Sequence, residues 1–112
     1  ISKAKKILQN KIIGVTCHNS IKLAKYASSN GANYIAVGAF YKTRTKKVIH
    51  KADIKTLNKI KKSVKIPVVA IGGINHKNYK KLLLNKADFL AISGYIWNNK
   101  KFKPHQAIKN LI

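Results

Sequence analysis

The segment GAFYKTRTKK, residues 38–47, carries the first side chains in the sequence that could do chemistry. Thr43 and Thr45 present hydroxyls that both donate and accept hydrogen bonds, and Lys46 and Lys47 add compact positive charge beside them. This combination favours a phosphorylated ligand and an anionic leaving group. Taken alone, the segment is explained equally well as a polar surface loop, because the whole chain is rich in lysine.

Two motifs with small residues form the second group of candidates. AIGGIN contains Gly72 and Gly73, which let the backbone approach a ligand, and Asn75, which can cap the helix that follows. AISGY contains Ser93 and Gly94 in a similar turn. Each motif alone is equally well explained as a tight turn that needs glycine for its backbone angles. Together, after two successive strands, they predict a phosphate site.

A third motif, GVTCH, places Thr16 where its hydroxyl would reach the mouth of a sheet. The neighbouring Cys17 and His18 are better explained by packing or by support of other residues than by catalysis. The sequence contains no Ser/His/Asp set and no Cys/His spacing typical of metal ligands. With Asp53 and Asp88 as its two acidic residues, the chain cannot supply an acidic metal site.

Four short apolar runs predict the strands that position these motifs, at residues 12–16, 34–38, 67–71 and 89–92. They are rich in β-branched and aromatic residues with little polar alternation, which is typical of strands buried on both faces of a parallel sheet. A long loop, residues 39–52, follows the second strand. Long loops at the carboxyl ends of strands are where barrel enzymes carry their chemistry.

Helical spacing separates the predicted strands, with helices expected at residues 1–11, 20–30, 54–64, 78–85 and 105–112. In the fourth of these, Leu82 to Leu84 are expected to face inward. Four strand–helix units make either half of a closed barrel or a small open sheet. An open sheet this apolar would leave strand edges unpaired and one layer uncovered, so half of a larger fold is the better interpretation.

Read in order, GVTCH, YIAVGAFYKTRTKK, IPVVAIGGIN and ADFLAISGYI resemble the fifth to eighth strands and loops of thiamine-phosphate synthases. The family pattern is approximately G-V-S-x-H, then G-x-x-F-x-T-x-T-K, A-I-G-G-I and V-S-A-I, and the match runs from about Ile12 to the end. The resemblance implies an α/β fold of four consecutive βα units with parallel strands, the C-terminal half of a (β/α)8 TIM barrel. Residues 1–112 would then be a single incomplete domain.

The resemblance also implies an activity: condensation of 4-amino-2-methyl-5-hydroxymethylpyrimidine pyrophosphate with thiazole phosphate, giving thiamine phosphate and pyrophosphate. Thr16 matches the family serine near the pyrimidine pyrophosphate, and Lys46 matches the catalytic lysine on the pyrophosphate. The residues that match the thiazole-phosphate contacts are Thr43, Thr45, Gly73, Ser93 and Gly94. Mg²⁺ is the implied cofactor, and its aspartate ligands belong to N-terminal strands that this sequence lacks.

Two departures from the family pattern affect the implied site. Lys42 stands where the family usually has proline, which predicts a less rigid loop. At the last turn the family serine aligns with Gly94 without a gap, or with Ser93 if one residue is deleted, so either position could take its role. The chain also starts at Ile1, in an opening helix without a cap, which suggests an incomplete gene product.

Charge is the most prominent feature of the composition, with 24 basic residues against two acidic ones and a net charge of +22. All but Arg44 of the basic residues are lysines, and they are spread along the whole chain, which favours a solvated surface over a nucleic-acid partner. No apolar run approaches the roughly 18 residues that span a bilayer, so no membrane association is expected. The single Cys17 fits a cytoplasmic setting.

Three alternatives to a synthase remain open at the level of sequence. A thiazole tautomerase of the same superfamily would carry an acid/base histidine where this chain has Ala39, and it would lack the T-x-T-K pattern. A basic polyanion-binding module without activity would bind DNA in a salt-sensitive manner. The third alternative is a fragment that works only when paired with the missing N-terminal half-barrel or with a second copy of itself.

Overall fold

The computed structural model describes residues 1–41 and 51–112. In this part of the chain helices and strands alternate up to β4, and two helices follow it. The bounds are α1 (Ser2–Leu8), β1 (Gly14–His18), α2 (Ile21–Ser29), β2 (Tyr34–Val37), α3 (Ile54–Ser63), β3 (Val68–Ile71), α4 (Tyr79–Leu84), β4 (Phe89–Ala91), α5 (Gly94–Trp97) and α6 (Pro104–Lys109). The strands form one sheet in the order β1-β2-β3-β4, and each neighbouring pair is parallel. The predicted set of four consecutive parallel βα units is therefore confirmed.

Strand β1 begins and ends two residues later than predicted, so the predicted bounds of 12–16 were wrong. Its first pair with β2 joins Gly14 to Tyr34, and the register shifts between Thr16 and His18 in a bulge. Ile12, which was expected in the strand, lies before it and is exposed. The other three strands agree with their predicted bounds to within one residue.

One face of the sheet packs against helices and forms the core. Alternate strand residues point toward α2, α3 and α4, as the period of two in a β-strand requires. The amphipathic spacing of the helices places small and branched apolar side chains against this face. The residues of this covered face with no accessible surface are Cys17, Ile35, Val37, Val68 and Ala70 from the strands, and Ala24, Ala27, Leu57, Ile60 and Leu82 from the helices.

Local signals in the sequence set the ends of the covering helices. The Ser20 hydroxyl accepts a hydrogen bond of 3.1 Å from the Leu23 backbone N–H and so caps α2. Asp53 does the same for α3, since its Oδ1 accepts from the Thr56 N–H at 2.8 Å. After α2 the chain turns at Gly31, whose φ of 92° suits glycine.

The opposite face of the sheet is not covered by the described residues. Three of its larger side chains are exposed: Tyr34 by 37%, Ile71 by 42% and Phe89 by 61%. Strand register places them on the same face as Thr16 and Ala36. The expectation that the strands are buried on both faces was therefore wrong for this part of the chain. We call this surface the open face.

Helix α4 also differs from its predicted packing. Leu82 is fully buried as expected, but Leu83 and Leu84 are 45% and 81% exposed. Successive helical residues are rotated by about 100°, so three in a row cannot all face one sheet. The short helix α5, directly after Ser93, was not predicted from the sequence.

Asp88 holds the beginning of β4 against β3 and α3. Its Oδ2 accepts hydrogen bonds from the Lys61 ammonium at 2.6 Å and from the Val68 N–H at 2.8 Å. Its own N–H donates to the Val68 carbonyl at 3.0 Å. The carboxylate thereby joins a covering helix to two strands at the end of the sheet away from the glycine turns.

Candidate functional site

The two small-residue turns lie side by side at the carboxyl edge of the sheet. Ile71 and Ala91 are the last registered pair of β3 and β4. Gly72 and Gly73 follow Ile71 directly, and Ser93 follows Ala91 after one intervening residue. The two motifs that together predict a phosphate site are thus adjacent in the structure.

Gly72 is required by the close packing of this edge. Its φ is 106°, and that of Gly73 is 63°, both in the region that favours glycine. A Cβ on Gly72 would lie 2.5 Å from the Ala39 Cβ and 3.1 Å from the Phe40 nitrogen. Because neither contact can be accommodated without movement of the backbone, the turn after β3 needs glycine to lie against the residues that follow β2.

The turn is completed by two asparagines that bond each other. Asn75 Oδ1 accepts from the N–H groups of Lys77 at 2.8 Å and Asn78 at 3.2 Å. Asn78 Oδ1 accepts from the Asn75 N–H at 2.8 Å, and its Nδ2 donates to the Gly73 carbonyl at 3.1 Å. Asn75 therefore caps the turn before α4 rather than α4 itself, whose N-cap is Asn78. These hydrogen bonds fix the backbone of Gly73.

The turn after β4 has a different character. The Ser93 carbonyl accepts from the N–H groups of Ile96 at 3.1 Å and Trp97 at 3.0 Å and so begins α5. The Ser93 side chain is exposed and makes no capping bond. A Cβ on Gly94 would meet no described atom within 4 Å. Packing does not demand glycine here, and the absent side chain leaves room beside the Gly72 turn.

Thr43, Thr45 and Lys46 lie outside the described residues, so their predicted roles stay predictions. The residues that precede them are held against β3 and its turn: the Phe40 N–H donates to the Ile71 carbonyl at 3.2 Å, and the Tyr41 N–H donates to the Gly72 carbonyl at 3.1 Å. The chain therefore enters residues 42–50 directly beside the glycine turn.

Thr16 lies on the open face and is exposed, paired with Ala36. Because β1 continues to His18, Thr16 is in the middle of the strand rather than at its end as predicted. Cys17 points to the covered face, where burial raises the pKa of its thiol, so the expected packing role of this residue is confirmed. His18 has a φ of 54°, an uncommon value for a residue other than glycine.

The described residues do not form a Mg²⁺ site. Within residues 1–41 and 51–112 no group of three His, Cys, Asp or Glu side chains is placed to share a metal ion. Asp53 is engaged in its helix cap, where hydrogen bonds from Thr56 lower its pKa. Partial burial works to raise the pKa of Asp88, but hydrogen bonds from Lys61 and Val68 outweigh it and the pKa is lowered. No described helix is long and apolar enough to cross a membrane.

A ring contact between the two turns was not foreseen from the sequence. The imidazole of His76, in the turn after β3, stacks on the ring of Tyr95, in α5 directly after the turn that follows β4, with centroids 5.2 Å apart. The residues are far apart in sequence, and no local pattern brings them together. The aromatic residue next to Ser93 and Gly94 was the one available signal.

Comparison with known proteins gives a consistent family. A sequence model described as thiamine monophosphate synthase matches residues 1–96. The thiamine-phosphate synthase of Pelagibacter ubique (strain HTCC1062) is 67% identical over 109 residues, which are 97% of this chain and 53% of that protein. The thiamine-phosphate synthase of Nitrosomonas eutropha (strain DSM 101675 / C91 / Nm57) is 46% identical over 90 residues, 80% of this chain and 42% of that protein.

The fold comparison agrees. Thiamine phosphate pyrophosphorylase from Pyrococcus furiosus superposes with a TM-score of 0.86 at 34% identity, covering 98% of this chain and 51% of that one. A nitroalkane oxidase from Streptomyces ansochromogenes, at 18% identity and a TM-score of 0.64, shares the fold alone. The chain spans about half the length of the relatives it matches. The predicted half of a (β/α)8 barrel is confirmed.

Proposed function

The chain belongs to the thiamine monophosphate synthase family, and from this premise we propose that it forms the thiazole-phosphate end of a thiamine-phosphate synthase site. The reaction is the condensation of the pyrimidine pyrophosphate with thiazole phosphate. The observation that carries the proposal is the adjacency of the two turns after β3 and β4, with the chain entering residues 42–50 beside them. This is where barrel enzymes commonly hold phosphate.

Each turn has a role in holding the thiazole phosphate. The backbone of Gly73 donates to one side of the phosphate, and the small residues Ser93 and Gly94 receive it on the other side. Thr43 and Thr45 add hydroxyl donors. The support for the Gly73 role is the fixed backbone of its turn, because a preorganised donor need not reorganise when charge binds.

The chemical step needs stabilisation of charge more than transfer of protons. The bond between the pyrimidine methylene carbon and the pyrophosphate oxygen breaks, and the thiazole nitrogen donates its electron pair to form the new carbon–nitrogen bond. Lys46 holds the departing pyrophosphate as a compact cation, and Thr16 lies on the pyrimidine-pyrophosphate side. The bound phosphorylated substrates, rather than nucleic acid, are the partners of this positive charge. A cytoplasmic setting supplies them.

A complete site requires four further βα units in addition to these four. The exposed apolar open face and the match to about half of each relative support this requirement. We place the Mg²⁺ ligands in those units, because the two aspartates of this chain are otherwise engaged. Residues 1–112 are thus one incomplete domain, and the N-terminal half-barrel is its required partner.

Ala39 favours the synthase over the thiazole tautomerase. The tautomerase branch would need an acid/base histidine at this position. Here a methyl group packs against Gly72, where a Cβ on that glycine would lie only 2.5 Å from the Ala39 Cβ. The methyl group of Ala39 carries no nitrogen or oxygen that could serve as acid or base.

The test joins this chain to the N-terminal half of the Pelagibacter ubique synthase and measures thiamine phosphate formed from the two substrates. We expect turnover in the joined protein, its loss in Lys46→Ala, and retained thiazole-phosphate binding in that variant. Lys25→Ala, at an exposed position on α2 far from the turns in sequence, is the matched control. A folded joined protein that binds a DNA duplex in a salt-sensitive manner and shows no preference for thiazole phosphate would refute the synthase in favour of a basic module.

A further inference from the structure

An aromatic contact connects the two turns of the proposed phosphate site above the ends of their strands. The His76 ring stacks on Tyr95 at a centroid distance of 5.2 Å and an interplanar angle of 24°. The imidazole is also nearly perpendicular to the Phe102 ring, with centroids 5.7 Å apart and an interplanar angle of 88°. Both arrangements are favourable geometries for aromatic pairs. His76 thus connects the turn after β3 to the segment that follows β4.

Hydrogen bonds hold the aromatic partners of His76 in place. The Tyr95 hydroxyl donates to the Ala107 carbonyl in α6 at 2.8 Å. Asn99 Nδ2 donates to the Tyr95 carbonyl at 2.9 Å, and Asn99 Oδ1 accepts from the Phe102 N–H at 2.8 Å. The segment after β4 is therefore a fixed surface on which the imidazole rests, and movement of one turn relative to the other must disturb the stack.

The ring contacts, rather than a hydrogen bond at Nδ1, orient the imidazole. Nδ1 is buried and has no hydrogen-bond partner among residues 1–41 and 51–112, although a buried polar nitrogen without one is costly. His76 itself lies outside the apolar core under the helices, since its side chain is partly exposed. Among the described residues its ring contacts are with Tyr95 and Phe102, which follow the turn after β4, so we expect its effect to be local to the phosphate site.

We propose that His76 is a positioning residue for the thiazole phosphate, holding the Gly73 turn and the Ser93–Gly94 turn at the separation that the phosphate group needs. This assignment rests on the proposed function. Below the turns, the pair of Ile71 and Ala91 sets the spacing of the strands. Beyond the strand ends, the stacked rings of His76 and Tyr95 set the separation of the two turns. His76 acts through the backbone of the turns rather than by touching the substrate.

The experiment uses the joined barrel described above and compares four variants with the wild type. His76→Ala removes the ring, His76→Leu keeps much of the volume without an aromatic face, and His76→Phe restores an aromatic ring without nitrogen. The matched control is His105→Ala, because His105 is an exposed histidine on α6 outside the stack. Initial rates are measured against thiazole phosphate at saturating pyrimidine pyrophosphate, and against the pyrimidine substrate at saturating thiazole phosphate.

We expect His76→Ala and His76→Leu to raise the KM for thiazole phosphate by roughly three- to tenfold, the range of one aromatic pair. The KM for the pyrimidine pyrophosphate and kcat should stay within about twofold, His76→Phe should restore the wild-type KM, and His105→Ala should match the wild type. A residue that only stabilises the fold would lower the unfolding temperature without this selective change.

Two results would overturn the assignment in distinguishable ways. Wild-type turnover together with an unchanged thiazole-phosphate KM in His76→Leu, or with no rescue by His76→Phe, refutes the positioning role alone. A folded wild-type joined barrel that neither binds thiazole phosphate nor turns over refutes the proposed function, and the role of His76 with it. If His76→Ala does not fold, His76→Leu and His76→Phe decide the question.

Discussion

The two faces of the sheet are built from the same strands but meet different surroundings. On the covered face, Ile35, Val37 and Val68 have no accessible surface and pack under the helices. On the open face, Ile71 and Phe89 retain 42% and 61% of theirs. Both faces are apolar, so their difference does not come from residue type. It comes from what the described residues place against each face.

The covered face is stabilised by the helices of this chain, whereas the open face needs further residues to bury its apolar side chains. Burial of apolar surface contributes about 25 cal/mol per Å², and the covered face receives this contribution in full here. The large apolar side chains of the open face are only partly buried and gain the rest of it when the barrel is closed. The glycine turns lie at the carboxyl edge of this sheet. We therefore expect closure of the barrel to affect the proposed phosphate site.

The largest effect should come from equivalent truncations on the two faces. Ile35→Ala should lower the free energy of unfolding by about 2 to 5 kcal/mol in this chain, because it leaves a cavity under the helices. Phe89→Ala should cost less than about 1 kcal/mol in this chain but about 3 to 5 kcal/mol in the joined barrel. Urea denaturation of both variants in both backgrounds measures this contrast. Equal costs for Phe89→Ala in the two backgrounds would mean that the open face is not the barrel interior.

The two glycines at the carboxyl edge sharpen the comparison. Gly72→Ala should cost about 1 to 3 kcal/mol of stability through its left-handed backbone, and the clash with Ala39 should weaken thiazole-phosphate binding. Gly94→Ala has open space and should change stability by less than about 0.5 kcal/mol. Thermal unfolding of the two variants gives the answer. Similar losses in both would contradict the packing that the structure assigns to this edge.

Asp88 tests how the end of the sheet away from the site is held. Its pKa is lowered, so its contribution to stability is complete above the ordinary carboxyl pKa of about 3.9 and is lost as pH falls through the lowered value. Asp88→Asn should cost roughly 1 kcal/mol at pH 7, reduced by the partial exposure of the ion pair with Lys61. The gap between wild type and variant should close on acidification, as followed by urea midpoints. If the difference in stability between wild type and Asp88→Asn is the same near pH 3 as at pH 7, the charge of Asp88 does not contribute to stability.

The last prediction concerns the beginning of a covering helix. Ser20→Ala removes the cap of α2 and should lower stability by about 1 kcal/mol, since the Leu23 N–H loses its acceptor. Ser29→Ala, an exposed serine at the end of the same helix, is the matched control and should be close to neutral. Equal stability of the two variants in chemical denaturation would show that the Ser20 cap does not stabilise the protein.

Much of the fold could be predicted from the sequence because local signals and burial agree. The apolar runs located β2, β3 and β4 to within a residue, and Ser20, Gly31 and Asn85 marked helix ends. The bounds of β1 were wrong because Ile12 is as apolar as a strand residue but lies outside the sheet. An apolar residue type shows that a side chain is suited to burial, whereas strand pairing and register decide whether it is buried.

The site was predictable in part. The adjacency of the Gly72 and Ser93 turns follows from parallel strands, whose carboxyl ends meet at one edge. The stack of His76 on Tyr95 depends on tertiary structure, and no spacing rule brings residues from two turns together. Which face would be covered was also beyond local patterns, because a strand that is apolar throughout gives no sign of which side lacks its helices or its partner strands.

The most direct test of the account is calorimetric titration of thiazole phosphate into this chain joined to the N-terminal half of the Pelagibacter ubique synthase, with inorganic phosphate and a short DNA duplex as controls. We predict saturable binding of thiazole phosphate that is stronger than that of inorganic phosphate and is weakened in Thr43→Ala and in Gly72→Ala. Equal or stronger binding of the duplex, with no preference for thiazole phosphate, would contradict the account.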